Sequence, residues 1–238
     1  MFFGIDWGYM VKILNRLITT VPYTMLIVII SGSLGLTLAM GIAIIRIKKV
    51  MFLYPIANVY VSFFRSTPPL IHIFLVYYGL PLVLRKFGID ANEWSRTVHA
   101  SLALVLFNGA HMSEFLRPAY LSVDRGQLDA ADSIGMTGMM KFRRVILPQM
   151  LPIAWPNIEN ALIELVKDTS VLFVIGLFDI MGMAKMFIQN DYGVKKLEVY
   201  IAAGIVYWCI TFLTERVFEF AEYRRNKKKR VPAGGGVL

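Results

Sequence analysis

The chain has few of the features that are common in soluble proteins, such as disulfide bonds and frequent charged residues. Its only cysteine is Cys209, so an intrachain disulfide is excluded. Charged residues make up 17% of the sequence, against 57% for hydrophobic residues. The 29 residues from position 17 to 45 include no Asp, Glu, Lys or Arg, whereas about 20 apolar residues already cross a bilayer as a helix. The missing charge indicates an integral membrane protein, whose first span is too long for the apolar core of a signal peptide.

Motifs of nucleotide-binding and metal-dependent proteins are missing too. The chain has no G-x-x-x-x-G-K-[ST] segment, the loop that holds nucleotide phosphates. No second ligand stands at metal-binding spacing from His72 or His111. We therefore expect no catalytic residue, no metal and no cofactor in this chain.

The net charge of +9 has a membrane explanation rather than a nucleic-acid one. Much of the excess lies in the basic run at residues 224–230, directly after the last apolar stretch. Anionic lipid headgroups attract such a run by about 1 kcal/mol per charge. We interpret residues 224–238 as a basic, disordered cytoplasmic tail next to membrane lipid, and we expect no nucleic-acid partner.

Five segments of the chain are apolar enough to be embedded in a membrane. They cover residues 17–45, 70–84, 97–113, 152–178 and 199–214. Residues 51–64, before the second segment, are predicted to be helical, with a break at the Pro68-Pro69 pair. The predicted fold class is an all-α integral membrane protein, with an extracytoplasmic segment (1–16), a transmembrane domain (17–223) and the basic tail.

Basic residues indicate how these spans are oriented. With the N-terminus outside, the inner segments hold 14 Lys and Arg residues and the outer segments hold 8. Because Lys and Arg are retained on the cytoplasmic side during insertion, this count favours N-out, C-in. A polar insert at residues 121–148 is then cytoplasmic. Cysteine labelling in a Cys209→Ser background tests the orientation, and labelling of residue 230 from outside intact cells would contradict it.

The fourth segment carries charges that a lipid-facing helix does not tolerate. Four polar side chains share an arc of about 100° on this helix: Asn160, Glu164, Lys167 and Asp168. A charge at the bilayer centre costs about 2.5–3.5 kcal/mol on insertion scales, so these side chains must face protein or water. One interpretation is structural: Lys167 pairs with Glu164, or Asp168 caps a helix break. The other is functional: this face lines a translocation pathway, where an acid and a base compensate the ammonium and the carboxylate of a zwitterionic amino acid.

The insert at residues 121–148 has a defined helical pattern. Ala130 and Ala131 are small, strong helix formers that let a partner approach closely. An apolar side, expected to face that partner, recurs at helical spacing: Leu128, Ala131 and Ile134. Gly135 suits a left-handed helix end, and Thr137 suits the cap of a second short helix. The alternative is an amphipathic helix that lies on lipid.

The spacing within this insert resembles the cytoplasmic loop of ATP-binding cassette (ABC) importer permeases. The family pattern is Glu-Ala-Ala, three residues, Gly, nine residues, Ile-x-Leu-Pro. The chain keeps this register, with Asp in place of Glu and Val145 in place of Ile. The resemblance implies a coupling helix that docks on an ATPase subunit and that involves seven residues: Gln127, Asp129, Ala130, Ala131, Gly135, Leu147 and Pro148.

Three further segments resemble polar amino acid importer permeases of the histidine, glutamine, arginine and cystine type. Leu-Val-Lys-Asp-Thr-Ser-Val at 165–171 is similar to their Leu-x-Lys-Asp-Thr-Ser-Leu. Phe-Arg-Ser-Thr-Pro at 64–68 and Gly-Ala-His-Met-Ser-Glu at 109–114 also follow family segments. The resemblance implies a type I ABC importer permease fold with about five transmembrane helices. It also implies a substrate pathway, for which nine residues are candidates: Asn108, His111, Glu114, Asn160, Glu164, Lys167, Asp168, Thr169 and Ser170.

The function and partners implied by this resemblance are those of a transport subunit. The chain is expected to move a polar amino acid inward, by alternating access, across the bacterial cell membrane. Expected partners are ABC ATPase subunits that bind ATP and Mg²⁺, a second permease copy or homologous permease, and an extracytoplasmic amino-acid-binding protein. The alternatives are an ion-coupled secondary transporter without an ATPase, which would usually show an inverted repeat, and a membrane enzyme.

Several positions near the implied pathway depart from the family pattern: Pro69, His72, His111, Glu159, Ala161 and Glu164. The family usually has Leu where this chain has Pro69, Gln where it has His72, and Tyr where it has His111. It usually has Glu at the position of Ala161 and neutral residues at the positions of Glu159 and Glu164. These departures predict an unusual substrate within the class. For the two histidines, packing is the other interpretation.

Overall fold

The computed structural model describes residues 4–230, with side chains up to Arg224. Within that range the chain is helical and forms no strand, so the predicted all-α fold is confirmed. The α-helices are α1 (Trp7–Ile18), α2 (Val21–Lys48), α3 (Leu53–Ser66), α4 (Pro69–Phe74), α5 (Leu80–Arg85), α6 (Arg96–Leu121), α7 (Arg125–Ser133), α8 (Gly138–Lys141), α9 (Leu147–Asp168), α10 (Ile180–Asn190) and α11 (Lys196–Arg230). They are joined by two π-helical turns, Leu75–Gly79 and Phe142–Ile146, and two 3₁₀ segments, Ala91–Glu93 and Thr169–Ile175.

The predicted spans correspond to straight and bent helices. By length and apolar composition, α2 and the Lys196–Arg224 part of α11 each cross a membrane as single helices. Leu53–Ser66 turns by 119° into Pro69–Arg85, which confirms the break expected at the proline pair, and Gly138–Ile175 turns by 44° into Ile180–Asn190. The remaining predicted span is α6, about 39 Å long at the usual helical rise, with buried residues along its whole length.

Small residues bring α2 close to two other helices. A Cβ atom added at Gly35 would lie 3.2 Å from the Cβ of Asn108 on α6. One added at Gly32 would lie 2.6 Å from Cδ2 of Leu162 on α9. The same side of α2 continues with a small, buried residue every fourth position: Gly35, Ala39 and Ala43. Helix α2 is therefore the surface against which α6 and α9 pack, as small residues permit between membrane helices.

The helices define two ends of the molecule. At one end, the hydroxyl groups of Tyr23 and Thr97 share a hydrogen bond of 2.7 Å at the starts of α2 and α6. At the same end Lys195, before α11, donates to Asp6, before α1, at 2.7 Å. We call this the N-terminal end. The opposite end, where α2 and α6 finish and the insert begins, is the coupling end.

The structure adds detail at one end of the chain and differs from the prediction at the other. Most of residues 1–16, which were predicted to be an extracytoplasmic segment, belong to α1, whose buried side chains Met10, Ile13 and Leu17 face the core. Residues 224–230 were expected to be disordered, but α11 continues to Arg230. It continues because no Gly or Pro interrupts residues 205–231. Residues 231–238, with the glycine run, lie outside the described residues.

Pro148 does not end the helix at the close of the insert. The chain remains helical from Gly138 through the π-helical turn Phe142–Ile146 into α9, and Pro148 lies in the first turn of α9. A proline lacks the backbone N–H and clashes with the carbonyl one turn earlier, and the wider π-turn accommodates both effects. The part of the insert from Gly138 onward and the fourth span are consequently one continuous helix.

Replacing Gly35 with Leu tests the close contact between α2 and α6. Overpacking of this kind costs about 1–3 kcal/mol, so we expect a lower yield of folded protein and a lower midpoint of thermal unfolding in detergent. Gly41→Leu is the matched control, because a Cβ at Gly41 of the same helix has no neighbour within 4 Å. Equal behaviour of the two variants would contradict the contact.

Candidate functional site

A cleft of about 300 Å³ lies between the middle of α6 and the C-terminal part of α9. Eight side chains line it: Phe107, Asn108, His111 and Phe115 from α6, and Ala161, Glu164, Lys167 and Asp168 from α9. Residues three or four apart share one face of a helix, so two facing stripes form the walls. The structure thus brings together five of the nine predicted pathway residues, two from α6 and three from α9.

The polar arc predicted on the fourth span is present on α9. Glu164 and Lys167 are exposed, whereas Leu165 and Val166 between them are 0% exposed. Asp168 is half-buried beside the cleft. The charges therefore share the cleft side of the helix, while its apolar sides pack into the chain, as the cost of charge in lipid requires.

Neither of the structural roles considered for these charges is seen in the geometry. Among the side chains that are described, no carboxylate lies within 4.0 Å of the Lys167 ammonium. Helix α9 ends at Asp168, yet its side chain makes no capping hydrogen bond to the 3₁₀ segment that follows. What remains is one base flanked by two acids on the wall of a cleft.

An aromatic stack supports His111 from within the chain. The centroid of its ring lies 4.3 Å from that of Phe107, which in turn lies 5.4 Å from His72. His72 is 1% exposed and hydrogen-bonds the hydroxyl of Thr67, so its role in this chain is packing. The Nδ1 of His111 lies 3.0 Å from the carbonyl oxygen of Phe107. That contact orients the imidazole and leaves Nε2 as the nitrogen available to a ligand.

Glu114 does not reach the cleft and belongs to a second charged cluster nearer the coupling end. Its carboxylate pairs with Arg46 of α2 and lies 3.4 Å from Arg65 of α3. Arg46 also donates through Nε to Asn58, at 2.9 Å. The cluster borders a cavity of about 370 Å³. Glu114 was predicted in the same pathway as the α9 charges, and the structure places it in this separate cluster because α3 packs against α6 and brings an arginine to it.

Asn160, Thr169 and Ser170 also lie outside the cleft. Asn160 is exposed one turn before Glu164. The buried hydroxyl of Thr169 donates to the carbonyl of Val166 at 2.7 Å, which satisfies it within its own helix. Ser170 lines a neighbouring cavity of about 250 Å³, on the side of α11. Lys167 lines both this cavity and the cleft, so Ser170 adjoins the pathway candidates without lining the cleft itself.

The nine candidates did not include three residues that line the cleft, Phe107, Phe115 and Ala161, although Ala161 had been placed near the pathway as a departure from the family pattern. The two phenylalanines stand four residues before and after His111, and Ala161 stands three residues before Glu164. Helical spacing from the predicted residues was therefore the signal that identifies them.

The insert forms two short helices with the expected ends. The side chain of Asp124 accepts from the backbone N–H of Gln127 at the start of α7. Gly135 after α7 has φ +74°, the left-handed conformation predicted for it. Thr137 caps α8 by accepting from the N–H of Met140, also as predicted. Lys141 donates to Asp132 at 2.6 Å and ties the two helices together.

The apolar side of α7 is directed differently from the prediction. Ala131 is 4% exposed and Leu128 packs against the core of its own chain. Ile134 is 72% exposed, and Ala130 is exposed beside Gln127 and Asp129. The apolar pattern is thus divided between the chain's own core and solvent, because α7 must cover the ends of α6 and α9. Near the insert's end, Leu147 is half-buried and Pro148 is exposed.

Comparison with known proteins agrees with this architecture. Residues 35–227 match the family described as binding-protein-dependent transport system inner membrane component. The L-cystine transport system permease protein TcyL of Bacillus subtilis is 39% identical over 208 residues, which cover 87% of this chain and 86% of TcyL. The probable amino-acid ABC transporter permease protein PatM of Vibrio harveyi is 36% identical, over 94% of this chain and 98% of PatM. The nopaline transport system permease protein NocM of Agrobacterium fabrum is 33% identical, over 97% of this chain and 96% of NocM.

Solved structures share the fold. The crystal structure of an amino acid ABC transporter with histidines aligns with a TM-score of 0.77 and 27% identity, over 93% of this chain and 99% of that one. The inward-facing MetNI methionine ABC transporter aligns with a TM-score of 0.62 at 20% identity, over 85% of this chain and 94% of that one. At this identity the match shows a shared fold. The helical architecture and these matches along nearly the whole chain show that it belongs to the binding-protein-dependent transport system inner membrane component family, among the amino acid ABC transporter permeases.

Proposed function

We propose that the chain forms, with a second copy or a homologous permease, the pathway of an ATP-driven importer that moves a polar amino acid inward by alternating access. The observation that carries this proposal is the α6–α9 cleft, where an amide, an imidazole, an ammonium and two carboxylates converge. Such groups are costly in a membrane and mark the routes of solutes. In this proposal residues 17–223 span the bacterial plasma membrane, residues 1–16 lie outside and residues 224–238 lie in the cytoplasm.

The charges of the cleft are complementary to a zwitterionic amino acid. The Lys167 ammonium pairs with the substrate carboxylate, and Asp168 or Glu164 pairs with the substrate ammonium. A charge-assisted hydrogen bond contributes about 1.5–3 kcal/mol. Because each charge of the substrate meets an opposite one, the solute is held in the span without a buried net charge.

The names of relatives favour substrates larger than a simple amino acid. TcyL is named for L-cystine and NocM for nopaline, and both compounds carry more than one carboxylate. In this chain the amide of Asn108 and the imidazole of His111 lie across the cleft from the α9 charges. We propose that these two polar groups hold the distal polar group of the substrate, the amide through its oxygen or its second N–H and the imidazole through Nε2. The uptake panel for this class contains cystine, nopaline, octopine, histidine, glutamine and arginine.

ATP and Mg²⁺ are bound, in this proposal, by separate ABC ATPase subunits that dock on the insert. The surface available for them includes Ala130, Ile134 and Met139, all exposed. The continuous helix from α8 into α9 joins this surface to the cleft wall. ATP-driven closure of the ATPase pair therefore moves α9 together with the insert and favours an outward-facing state. The family description supports delivery of the solute by an extracytoplasmic binding protein.

Replacing Lys167 with Met tests the pathway. Loss of the charge-assisted hydrogen bond should reduce uptake into proteoliposomes by one to two orders of magnitude, with assembly and thermal stability of the complex unchanged. The assay uses the whole complex, with ATP and binding protein supplied. Lys12→Met is the matched control, since Lys12 is exposed on α1, away from the cleft.

Two results would contradict the role of Lys167. If the variant loses thermal stability in proportion to uptake, and Glu164→Gln partly restores both, the charges are structural. If wild-type permease transports in liposomes that contain no ATPase subunit, an ion-coupled transporter replaces the proposed function.

Adjacent alanines in α7 test the docking surface. Ala130→Asp places a carboxylate on the exposed side, so the permease should fold normally but lose co-purification with its ATPase and lose transport. Ala131→Asp buries the same carboxylate within the chain, at a cost of several kcal/mol, and should lower the yield of folded permease itself. Wild-type transport by the Ala130→Asp complex would show that the ATPase docks elsewhere.

A further inference from the structure

The loop between α10 and α11 presents two large apolar side chains to solvent. Tyr192 is 95% exposed and Val194 is 82% exposed. Tyr192 also has φ +51°, and among the other described residues that are not glycine only Lys49 has a positive φ. An aromatic residue is strained in this left-handed conformation, which asparagine or glycine adopts readily. Packing within this chain does not explain a strained tyrosine that contacts almost nothing.

The neighbours of Tyr192 are held firmly by the N-terminal segment. The hydroxyl of Tyr9 donates to the carboxylate of Asp191. Lys195 donates to Oδ2 of Asp6 at 2.7 Å, and its ammonium lies 4.5 Å from the centroid of the Tyr9 ring. The other carboxylate oxygen of Asp6 caps α1 by accepting from the N–H of Tyr9, at 2.9 Å. We call these four residues the clamp.

Hydrogen bonds within the loop restrict it further. The N–H of Gly193 donates to the carbonyl of Ile188 at 2.8 Å, and the N–H of Val194 donates to that of Asp191 at 3.0 Å. Strained backbone persists only where the surrounding structure determines it in this way. The backbone at Tyr192 and Val194 is therefore held before any partner arrives, and a partner that binds there does not have to order the loop backbone.

The loop lies at the N-terminal end, opposite the insert that the proposed function assigns to the ATPase. In that orientation it faces the extracytoplasmic side. Charged residues flank the loop: Asp191 and Lys195 lie on either side of the two apolar residues in the sequence, and Asp6 pairs with Lys195. A rigid aromatic anchor within a polar rim is the composition of a binding hot spot between proteins.

This setting distinguishes a soluble partner from lipid and from a second permease copy. Membrane lipid is a poorer fit for this tip, because the carboxylates of Asp6 and Asp191 lie beside it and anionic headgroups repel them. A second copy packs along the sides of membrane helices, whereas Tyr192 occupies the turn that connects the ends of α10 and α11. A folded protein that approaches from the extracytoplasmic side can cover this tip.

We infer that Tyr192 and Val194, positioned by the clamp, form an anchor for the extracytoplasmic solute-binding protein. The inference rests on the proposed function and adds to it the docking residues. The tyrosine enters a pocket of the partner, and the clamp charges lie at the rim of the interface. The N-terminal segment thereby acts as a positioning element for docking.

The experiment compares Tyr192→Asn with Tyr192→Phe in the complete complex, reconstituted in nanodiscs. The probe is the binding protein that stimulates ATP hydrolysis by the wild-type complex, loaded with its amino acid. Tyr192→Asn relieves the backbone strain and removes the aromatic ring. We expect unchanged or higher thermal stability, unchanged hydrolysis without binding protein, and a concentration for half-maximal stimulation at least tenfold higher. Tyr192→Phe keeps the anchor and should stay close to wild type.

The outcomes separate this inference from the proposed function. If the wild-type complex responds and Tyr192→Asn responds at the same concentration, the anchor is wrong and the proposed function stands. If Tyr192→Asn instead changes the oligomeric state of the permease on size exclusion, the loop binds a second copy and the inference fails. The inference also fails if the variant changes only the retention of the permease in lipid, because the loop then contacts the membrane. If no binding protein stimulates the wild-type complex, the proposed function itself is overturned.

Discussion

The close contact of α2 with α6 and α9 is the constraint on which the rest of the structure depends. Glycine at positions 32 and 35 removes the side chains that would keep these helices apart. With one side of each helix occupied by α2, the remaining sides of α6 and α9 face one another and form the cleft. The charges of α9 can then avoid lipid without a partner inside their own helix. Membrane helices gain little from the hydrophobic effect against each other, so this packing carries the geometry of the site.

Bends and irregular turns in the helices determine where the other charged groups and the insert lie. Helix α3 packs against α6 and brings Arg65 to Glu114, and the turn of 119° that follows redirects the chain into α4. The π-helical turn Phe142–Ile146 absorbs Pro148 and keeps α8 and α9 in one helix. At the far end of that helix, Gly176 in the left-handed conformation stops the 3₁₀ segment before α10. The helix that carries the α9 charges is therefore continuous on the coupling side of the cleft and broken on the other side.

Sequence periodicity predicted those features that depend on one helix at a time. The polar arc on α9, the left-handed Gly135 and the cap of Thr137 are all local, and the structure contains them. Contacts between helices distant in sequence were not accessible in this way. Nothing in the spacing of Arg46, Arg65 and Glu114 indicates that they meet. The burial of Ala131 likewise depends on which helix ends α7 covers, and the continuation of α11 depends on an absence of helix breakers rather than on charge.

The central claim is that an amino acid crosses the membrane through the cleft between α6 and α9. A structure of the complete complex, with its ATPase subunits and a transported amino acid bound, tests this claim most directly. The account predicts the substrate between these helices, with its carboxylate within hydrogen-bond distance of the Lys167 ammonium and its own ammonium beside Asp168 or Glu164. A substrate bound elsewhere in the permease, with the α6–α9 cleft closed or filled by side chains, would contradict it.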